Sequence, residues 1–357
     1  MTKLVEFLSS HLPFLAAVPH WALYAGVTTA VALGIALGAV APLAGFFTFA
    51  ERRVAAAMQA RIGPNRVGPQ GLLQFPADAV KLLMKEDIVP AATDRVLFVM
   101  APYVCFAGSF LTFVVLPLGA TIYVTNLNLG ILYILAVTSI VVIGIIMSGW
   151  ASNNKWSLYG GMRGAAQVIS YEIPVGLSIL TVIFHTGSLS MVDISEYQKG
   201  AGGLLGWFLF NNPFTFVAFF VYFTAALAEI NRTPFDIPEA ESELVSGYHT
   251  EYSGMRFAIF FLAEFANMFI VGMITAVLFL GGYNGPIVNG PHWILLKALF
   301  LVFVMMWLRW TLPRLRVDQL MNLCWKYLLP IAFVNMLGSA LWAAAMPGRR
   351  FFGLIAP

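Results

Sequence analysis

Apolar runs long enough to cross a lipid bilayer recur along this chain of 357 residues. Of these residues, 60% are hydrophobic and only 10% are charged. Because the hydrocarbon layer holds no water to bond the backbone, runs of about 20 apolar residues must cross it as helices. The alternating pattern of a membrane β-barrel is absent. The sequence therefore predicts an all-α, polytopic membrane protein with little room for a soluble domain.

We predict about eight transmembrane helices in a single membrane-embedded domain, residues 1–357. The predicted spans lie near residues 21–49, 98–118, 129–150, 164–186, 213–231, 256–281, 292–311 and 328–347. The first run is unusually long and lacks a clear cleavage signature, so we interpret it as a span and not as a signal peptide. Lys and Arg are concentrated after the odd-numbered spans, which places those loops in the cytoplasm and both termini on the other side.

Sequence patterns that bind metals, nucleotides or haem are absent. Cys105 and Cys324 lie far apart, without the spacing of a disulfide framework, a zinc site or an iron–sulfur cluster. No GxGxxG or P-loop pattern occurs, and a bis-histidine haem would need a facing pair of histidines. We therefore predict no metal and no bound cofactor in this chain, so that any redox cofactor lies in a different protein.

Seven of the seventeen acidic residues lie between positions 229 and 264, in AEINRTPFDIPEAESELVSGYHTEYSGMRFAIFFLAEF. Two prolines interrupt regular structure around Asp236. Glu239, Glu241 and Glu243 follow at alternate positions, so they point to one side of an extended backbone or fan around a helix. In either case their repulsion should raise some of their pKa values and couple their titration. A solvated acidic loop is the alternative interpretation.

Two glutamates are predicted to lie deep in the membrane. Glu172 follows Arg163 by nine residues in the fourth span, and Glu264 follows Met255 by nine in the sixth. Pro174 is expected to kink the fourth helix and to free a carbonyl beside Glu172. A charge at the centre of a span costs roughly 2.5–3.5 kcal/mol, so such acids are candidate proton carriers. The alternative is a protonated glutamate that is hydrogen-bonded within the bundle.

Glu229 ends the fifth predicted span and lies beside the acidic stretch. Arg232 follows three residues later, a spacing at which two side chains can meet on one face of a helix. Together with the deep glutamates on both flanks, the stretch would form a chain of carboxylates that enters the membrane from the cytoplasmic side.

The loop after the first span carries a second signal, GLLQFPADAVKLLMKED. Gln74, Asp78 and Lys81 recur at i, i+4 and i+7, and apolar residues occupy much of the remaining face. This pattern predicts an amphipathic helix on the cytoplasmic surface. Beside the first span, which ends in Glu51 and Arg52, the helix could frame an opening for an amphiphilic ligand from the lipid. A helix that only rests on the head groups is the alternative.

The chain resembles the family of the H subunit of bacterial NADH-quinone oxidoreductase, respiratory complex I, and its mitochondrial counterpart. The resemblance covers nearly the whole chain and rests on AERRVAAAMQARIGPNRVGPQGLLQFPADAVKLLMKED, GGMRGAAQVISYEIP and AEINRTPFDIPEAESELVSGYHTEYSGMRFAIFFLAE. It implies eight transmembrane helices at the heel of the membrane arm of a proton-translocating enzyme. It also implies that the chain helps to form the quinone chamber without a redox centre of its own.

The resemblance implies a role for two sets of residues. Those around the quinone entrance and cavity would be Arg52, Asp78, Lys81, Arg232 and Asp236. Those along a glutamate-rich proton path would be Glu172, Glu229, Glu239, Glu241, Glu243, Glu251 and Glu264. The acidic loop would then couple quinone reduction to proton movement.

The resemblance also implies the partners and the membrane. The partners would be hydrophilic quinone-site and iron–sulfur subunits, a flavin subunit, small and antiporter-like membrane subunits, ubiquinone or menaquinone, and lipid, but no nucleic acid. The membrane would be the bacterial inner (cytoplasmic) membrane, with the mitochondrial inner membrane as the alternative.

Three other functions are open to a chain of this kind. A related proton-translocating hydrogenase subunit would not need the region of Arg52, Asp78 and Lys81. A free-standing secondary transporter usually has paired repeats, and no second half is detected. A purely structural anchor would not explain the cost of intramembrane glutamates.

Overall fold

The computed structural model describes residues 19–199, 206–286 and 288–346. Within these ranges the chain forms helices, and no strand occurs. The α-helices are α1 (His20–Ile35), α2 (Ala41–Met58), α3 (Gln74–Met84), α4 (Arg95–Leu111), α5 (Gly130–Ala151), α6 (Lys155–Thr186), α7 (Met191–Tyr197), α8 (Phe208–Asn211), α9 (Pro213–Glu229), α10 (Glu241–Leu244), α11 (Gly254–Phe279), α12 (Pro291–Thr311), α13 (Val317–Asn322) and α14 (Leu329–Ala345). The predicted placement of the two termini concerns residues outside the described ranges.

Several helical segments of the described chain are long and apolar enough to cross a membrane. These are Arg95–Val114, Gly130–Ala151, Lys155–Thr186, Gly254–Phe279, Pro291–Thr311 and Val317–Ala345. Trp21–Val31 and Pro213–Glu229 are shorter apolar helical segments. The all-α, polytopic membrane fold class predicted from hydropathy is therefore confirmed.

Two helices extend beyond the spans expected from hydropathy. α2 continues to Met58 instead of ending near residue 49, because the segment that follows is rich in residues with high helix propensity. α6 begins at Lys155 instead of near residue 164, because the side chain of Asn154 accepts a hydrogen bond from the backbone of Trp156 and caps it. Glu51 and Arg163 therefore lie inside helices and not in loops.

α6 remains one α-helix through Pro174. A proline has no amide hydrogen, so the carbonyl of Ser170, four residues earlier, lacks its usual helical partner. The thiol of Cys324 donates to this carbonyl, with 3.1 Å between sulfur and oxygen. Cys324 lies in the π-helical segment Leu323–Leu328, which joins α13 to α14. The carbonyl that was expected to be freed beside Glu172 is thus bonded within the bundle.

α6 lies at the centre of the bundle and packs against α5, α9 and α14. Tyr171 of α6 is fully buried, and its hydroxyl donates to the carbonyl of Leu320 at 2.9 Å. α11 packs against α4 and α12. The acidic stretch follows α9, which packs on the central helix α6, and leads into α11, which packs on α4 and α12.

α3 is the surface helix predicted from the amphipathic pattern. It packs against α2 and α11, and its Asp78 pairs both with Arg52 of α2 and with Lys81 of α3 itself. The ring of Phe75 lies directly over Gly45 of α2, where even a methyl group would collide with it. The absence of a side chain at Gly45 thus sets how closely α3 approaches the membrane-spanning helices.

Replacing Gly45 by alanine is expected to displace α3. The new Cβ would overlap the ring of Phe75, so the ring must move, and overpacking of this kind costs roughly 1–3 kcal/mol. Limited proteolysis of membranes should cleave α3 faster in this variant. Gly45→Ala combined with Phe75→Leu should regain protection, whereas Gly176→Ala, where no atom lies within 4 Å, should match the parent. Equal protection of Gly45→Ala would contradict this packing.

Candidate functional site

The loop between α9 and α11, residues 230–253, carries most of the acidic stretch and lies on α6. Its 3₁₀ turn Gly247–His249 packs on Gly160 of α6, where a Cβ would lie only 2.8 Å from the backbone of Gly247. One turn further along α6, a Cβ at Gly164 would lie 3.1 Å from the ring of Pro238. The glycines of the GGMRG segment therefore allow the loop backbone to approach the helix.

A buried ion cluster lies beneath this loop, formed by Glu51, Arg232, Glu264 and Arg309. Arg232 Nη1 lies 3.1 Å from Glu51 Oε2, and Arg232 Nε lies 3.1 Å from Glu264 Oε1. Arg309 Nη1 lies 2.5 Å from Glu51 Oε1. The guanidinium of Arg232 is also 4.3 Å from the centre of the Phe265 ring. These contacts join α2, the loop, α11 and α12 at one point.

The charge on Arg232 is maintained by its carboxylate neighbours. Its side chain is only 2% exposed, and burial opposes a charge. Glu264, Glu51 and Glu239 outweigh this effect and raise its pKa. Because the ion cluster contains two arginines and two glutamates, its formal charges cancel. Removal of any one member leaves a buried charge without full compensation.

The spacing that would let Arg232 meet Glu229 on one helical face does not produce that pair. α9 ends at Glu229, and Asn231 adopts a left-handed backbone conformation with φ of 53°. The chain thus leaves the helical face on which the two side chains were expected to meet. Arg232 turns instead toward Glu51 and Glu264.

Sequence reasoning selected Arg232 and Glu264 but missed Glu51 and Arg309 as members of the site. Glu51 was assigned to the end of the first span, and Arg309 belongs to the basic residues after the odd-numbered spans, which served only to orient the chain. Each of these charges adjoins an apolar run, FFTFAER and MMWLRW. The available signal was a charged residue directly after an apolar run, at a point where the helix continues.

Glu229 and Glu172 are brought together at the contact of α5, α6 and α9. Glu229 lines a cavity of about 40 Å³, and a water molecule needs about 10–15 Å³ of such volume. The polar side chains of its lining are Thr138, Tyr222, Glu229 and Asn267. Ser139 hydrogen-bonds the carboxylate of Glu172, and the two glutamates interact electrostatically. Glu229 therefore lies beside a space that can hold a few water molecules, and Glu172 is its electrostatic neighbour.

Asp236 and Glu239 add two carboxylates of the loop beside the ion cluster. Glu239 interacts electrostatically with Arg232, and Asp236 interacts with Glu264. Both also act on the phenol of Tyr248, whose pKa is raised by burial and further by these carboxylates. The Asp236 end of the loop is therefore electrostatically connected to the ion cluster.

Glu241 and Glu243 lie in the single turn of α10, and Glu239 precedes it. The helical alternative is thus the one found for the first two. Glu243 Oε2 lies 2.7 Å from Arg163 Nη1, and its Oε1 lies 3.2 Å from Arg314 Nη2. The hydrogen bond from Arg163 is the main cause that lowers the pKa of Glu243. The increase expected from repulsion among the loop carboxylates therefore does not apply to Glu243.

Glu251, a residue of the loop, lies beside the first turn of α6. Its Oε1 accepts a hydrogen bond of 2.6 Å from the side chain of Asn154, which caps this helix. Glu172 lies 17 residues beyond Lys155, or roughly 25 Å along the helix. The structure thus does not bring Glu251 close to Glu172.

An apolar cleft of about 370 Å³ lies between α2, α3 and α11. Its apolar lining includes Phe75, Leu82, Phe257, Phe261 and Leu262. At its edge, Asp78 lies 2.6 Å from Arg52 and 3.6 Å from Lys81. Partial burial opposes ionisation of Asp78, but the hydrogen bond and charge of Arg52 outweigh it and lower the pKa of Asp78. An apolar cleft with fixed charges at one edge suits an amphiphilic ligand.

The cleft and the ion cluster share parts of the same two helices. Arg52 of α2 lines the cleft, and the preceding residue, Glu51, enters the ion cluster. Phe261 of α11 lines the cleft, and Glu264, three residues later, pairs with Arg232. The cleft and the ion cluster are thus one residue apart on α2 and about one turn apart on α11, so a shift of either helix at the cleft also shifts a member of the ion cluster.

A family model described as NADH dehydrogenase matches residues 30–340. The H subunit of NADH-quinone oxidoreductase from Chlorobium luteolum is 51% identical over 314 residues, 84% of this chain and 84% of that protein. The same subunit of Chlorobaculum tepidum is 49% identical over 332 residues, 87% and 92% of the two chains. That of Anaeromyxobacter dehalogenans is 50% identical over 333 residues, 86% and 79%. These matches do not favour the hydrogenase or transporter alternatives, and they show that the chain belongs to the NADH dehydrogenase family.

Proposed function

We propose that this chain is a membrane subunit of a proton-translocating NADH:quinone oxidoreductase, respiratory complex I, and that it couples quinone reduction to proton movement. The names and the identity of the relatives support the assignment to this enzyme. The observation that carries the coupling role is that two adjacent residues of α2 belong to different sites: Glu51 to the ion cluster and Arg52 to the apolar cleft.

The apolar cleft would form part of the quinone chamber. Its apolar walls suit the hydrocarbon tail of ubiquinone or menaquinone, and its position beside the surface helix α3 suits entry from the lipid. Arg52, Asp78 and Lys81 would lie at the entrance. Arg232 and Asp236, at the ion cluster, would face the side of the chamber on which the quinone head is reduced.

Charge that develops during quinone reduction would act on the ion cluster. Reduction of a quinone to a quinol takes up two electrons and two protons, so negative charge forms until the protons arrive. This charge would compete with Glu51 and Glu264 for Arg232 and Arg309. A buried carboxylate that loses its partner is strongly destabilised, and uptake of a proton relieves this cost.

Protons would then move along the glutamates of the loop and the central helices. The proposed path contains Glu172, Glu229, Glu239, Glu241, Glu243, Glu251 and Glu264. The electrostatic contact between Glu229 and Glu172, and the cavity with room for water beside Glu229, support transfer between them. The exposed ion pair of Glu243 with Arg163 supports a place at the cytoplasmic end of the path.

We also propose the surroundings of the chain. Residues 1–357 would form a single domain in the bacterial inner membrane, with α3 on the cytoplasmic side. Flavin and iron–sulfur clusters would be bound by hydrophilic partner subunits, and small and antiporter-like subunits would adjoin the chain within the membrane. Quinone would be the substrate of the shared chamber.

Replacing Asp78 by asparagine tests the quinone-chamber role. The variant removes the charge that holds Arg52, and the loss of such a partly exposed pair is of the order of 1 kcal/mol, so we expect the KM for quinone to rise about five-fold. NADH oxidation with ferricyanide, which does not require quinone, should be unchanged. Lys85→Gln, at the exposed end of α3, is the matched control. An unchanged KM in Asp78→Asn would contradict the proposed entrance.

A further inference from the structure

Gln167 joins three parts of the candidate site through one amide group. It lies on α6, and only 1% of it is exposed. Its Nε2 donates to the carbonyl of Ala228, at the end of α9, and to the carbonyl of Phe235 in the loop, both at 2.7 Å. A single side chain therefore holds the end of one helix and the following loop against a second helix.

The orientation of this amide is determined by its two acceptors. If the group were flipped, Oε1 would face two carbonyl oxygens, which cannot donate. In the orientation found, Oε1 has no hydrogen-bond partner within the described residues. A buried acceptor without a partner keeps the full cost of its desolvation. The amide of Gln167 therefore keeps its two N–H donors on the carbonyls of Ala228 and Phe235, although its own oxygen has no partner.

The two carbonyls that Gln167 binds come immediately before two residues of the proposed coupling path. Ala228 precedes Glu229, and Phe235 precedes Asp236. The segment between them contains Arg232, the centre of the ion cluster. Gln167 thereby holds both ends of a short segment. One end carries Glu229, a candidate proton carrier, and the other carries Asp236, which interacts with Glu264.

The same amide also connects this segment to the second deep glutamate. Glu172 lies five residues after Gln167 on α6, and it interacts with Glu229 across the contact of α6 and α9. A displacement of the loop at Phe235 acts on the amide nitrogen that also holds Ala228. The two acceptor carbonyls therefore cannot separate without the loss of at least one hydrogen bond.

We propose that Gln167 is a positioning residue that fixes Glu229 relative to Asp236, so that movement of the loop changes the distance between Glu229 and Glu172. This inference rests on the proposed function, because it assigns a mechanical step to the coupling path. It places the link between loop and proton carriers in the hydrogen bonds of one neutral side chain. Gln167 neither accepts nor releases a proton in this role.

The test is Gln167→Met in the whole enzyme, with Gln198→Met as a matched control. Methionine is similar in length to glutamine but lacks both donors. Gln198 is equally buried and its amide also donates to backbone carbonyls, those of Ile194, Val277 and Leu278, but it lies between α7 and α8, at the other end of α6 and α9. We expect Gln167→Met to lower the number of protons translocated per NADH at least two-fold in sealed vesicles, with the quinone KM within two-fold of the parent. Gln198→Met should lower the amount of assembled enzyme and leave this ratio unchanged.

Gln167→Glu provides a second measurement, since a protonated glutamate keeps one of the two donors and should give an intermediate ratio. If Gln167→Met does not assemble, a parental ratio in Gln167→Glu overturns the proposal. A parental ratio in Gln167→Met overturns it directly. Glu229→Gln separates the two levels: if that variant translocates protons normally, the proposed path itself fails. If Glu229→Gln is defective but Gln167→Met matches Gln198→Met, only the positioning role fails.

Discussion

Replacing Arg232 by methionine is expected to be the most destabilising single change in the ion cluster. The substitution leaves Glu264 without its arginine partner, whereas Glu51 retains Arg309 at 2.5 Å. Loss of one partner of a buried pair typically costs about 3–5 kcal/mol, which corresponds to about two to four orders of magnitude in the ratio of folded to unfolded protein. We therefore expect very little assembled protein in the membrane and a lower midpoint of thermal inactivation.

Double variants can show whether the unpaired carboxylate of Glu264 causes this loss of stability. Arg232→Met combined with Glu264→Gln removes the orphaned carboxylate and should restore most of the assembled protein. Arg232→Met combined with Glu51→Gln has the same net charge, but it removes the carboxylate that still has a partner and leaves Glu264 unpaired. This second combination should restore much less. Equal rescue by the two combinations would show that net charge, and not the pairing found here, determines stability.

Hydropathy was sufficient to predict the class of fold because the lipid leaves few choices for the backbone. The segments around residues 129–150 and 292–311 needed only their length and apolar composition. The amphipathic period of Gln74, Asp78 and Lys81 likewise predicted α3, because one face must meet lipid or protein and the other must meet water. Hydropathy did not predict the ends of α2 and α6, because a helix continues past the membrane wherever propensity and caps allow it.

The candidate site was less predictable, because its contacts join residues that are distant in sequence. The spacing of Glu229 and Arg232 suggested a local pair, but the left-handed conformation of Asn231 directed Arg232 toward Glu51, which lies 181 positions away. The lowered pKa of Glu243 likewise depends on Arg163 and Arg314, which approach only in the folded chain. Charge density located the region, whereas tertiary packing determined the partners.

Replacing Glu229 by glutamine is expected to stop proton translocation through this subunit. Glutamine preserves the size of the side chain and its place beside Thr138 and Asn267 in the cavity lining, but it cannot carry a proton between two neighbours. Removal of a group that transfers protons typically lowers a rate by about 10²-fold or more. In sealed vesicles we expect proton uptake per NADH to fall sharply, while NADH oxidation with ferricyanide continues at the parental rate.

Two further variants separate proton transfer by Glu229 from a general effect of losing a carboxylate. Glu196 lies in α7, at the ends of α6 and α9 that are opposite to the ion cluster. In Glu196→Gln the new amide oxygen can still accept the hydrogen bond of 2.6 Å that the Tyr283 hydroxyl now donates to Glu196. This variant should leave translocation unchanged. Tyr222→Phe keeps the shape of the cavity wall but removes a hydroxyl beside Glu229, and it should slow translocation less than Glu229→Gln. Because the cavity has space for only a few water molecules, each polar group of its lining has few substitutes. Normal translocation in Glu229→Gln would exclude this cavity as part of the proton path, and the path would then have to leave the ion cluster without passing the end of α9.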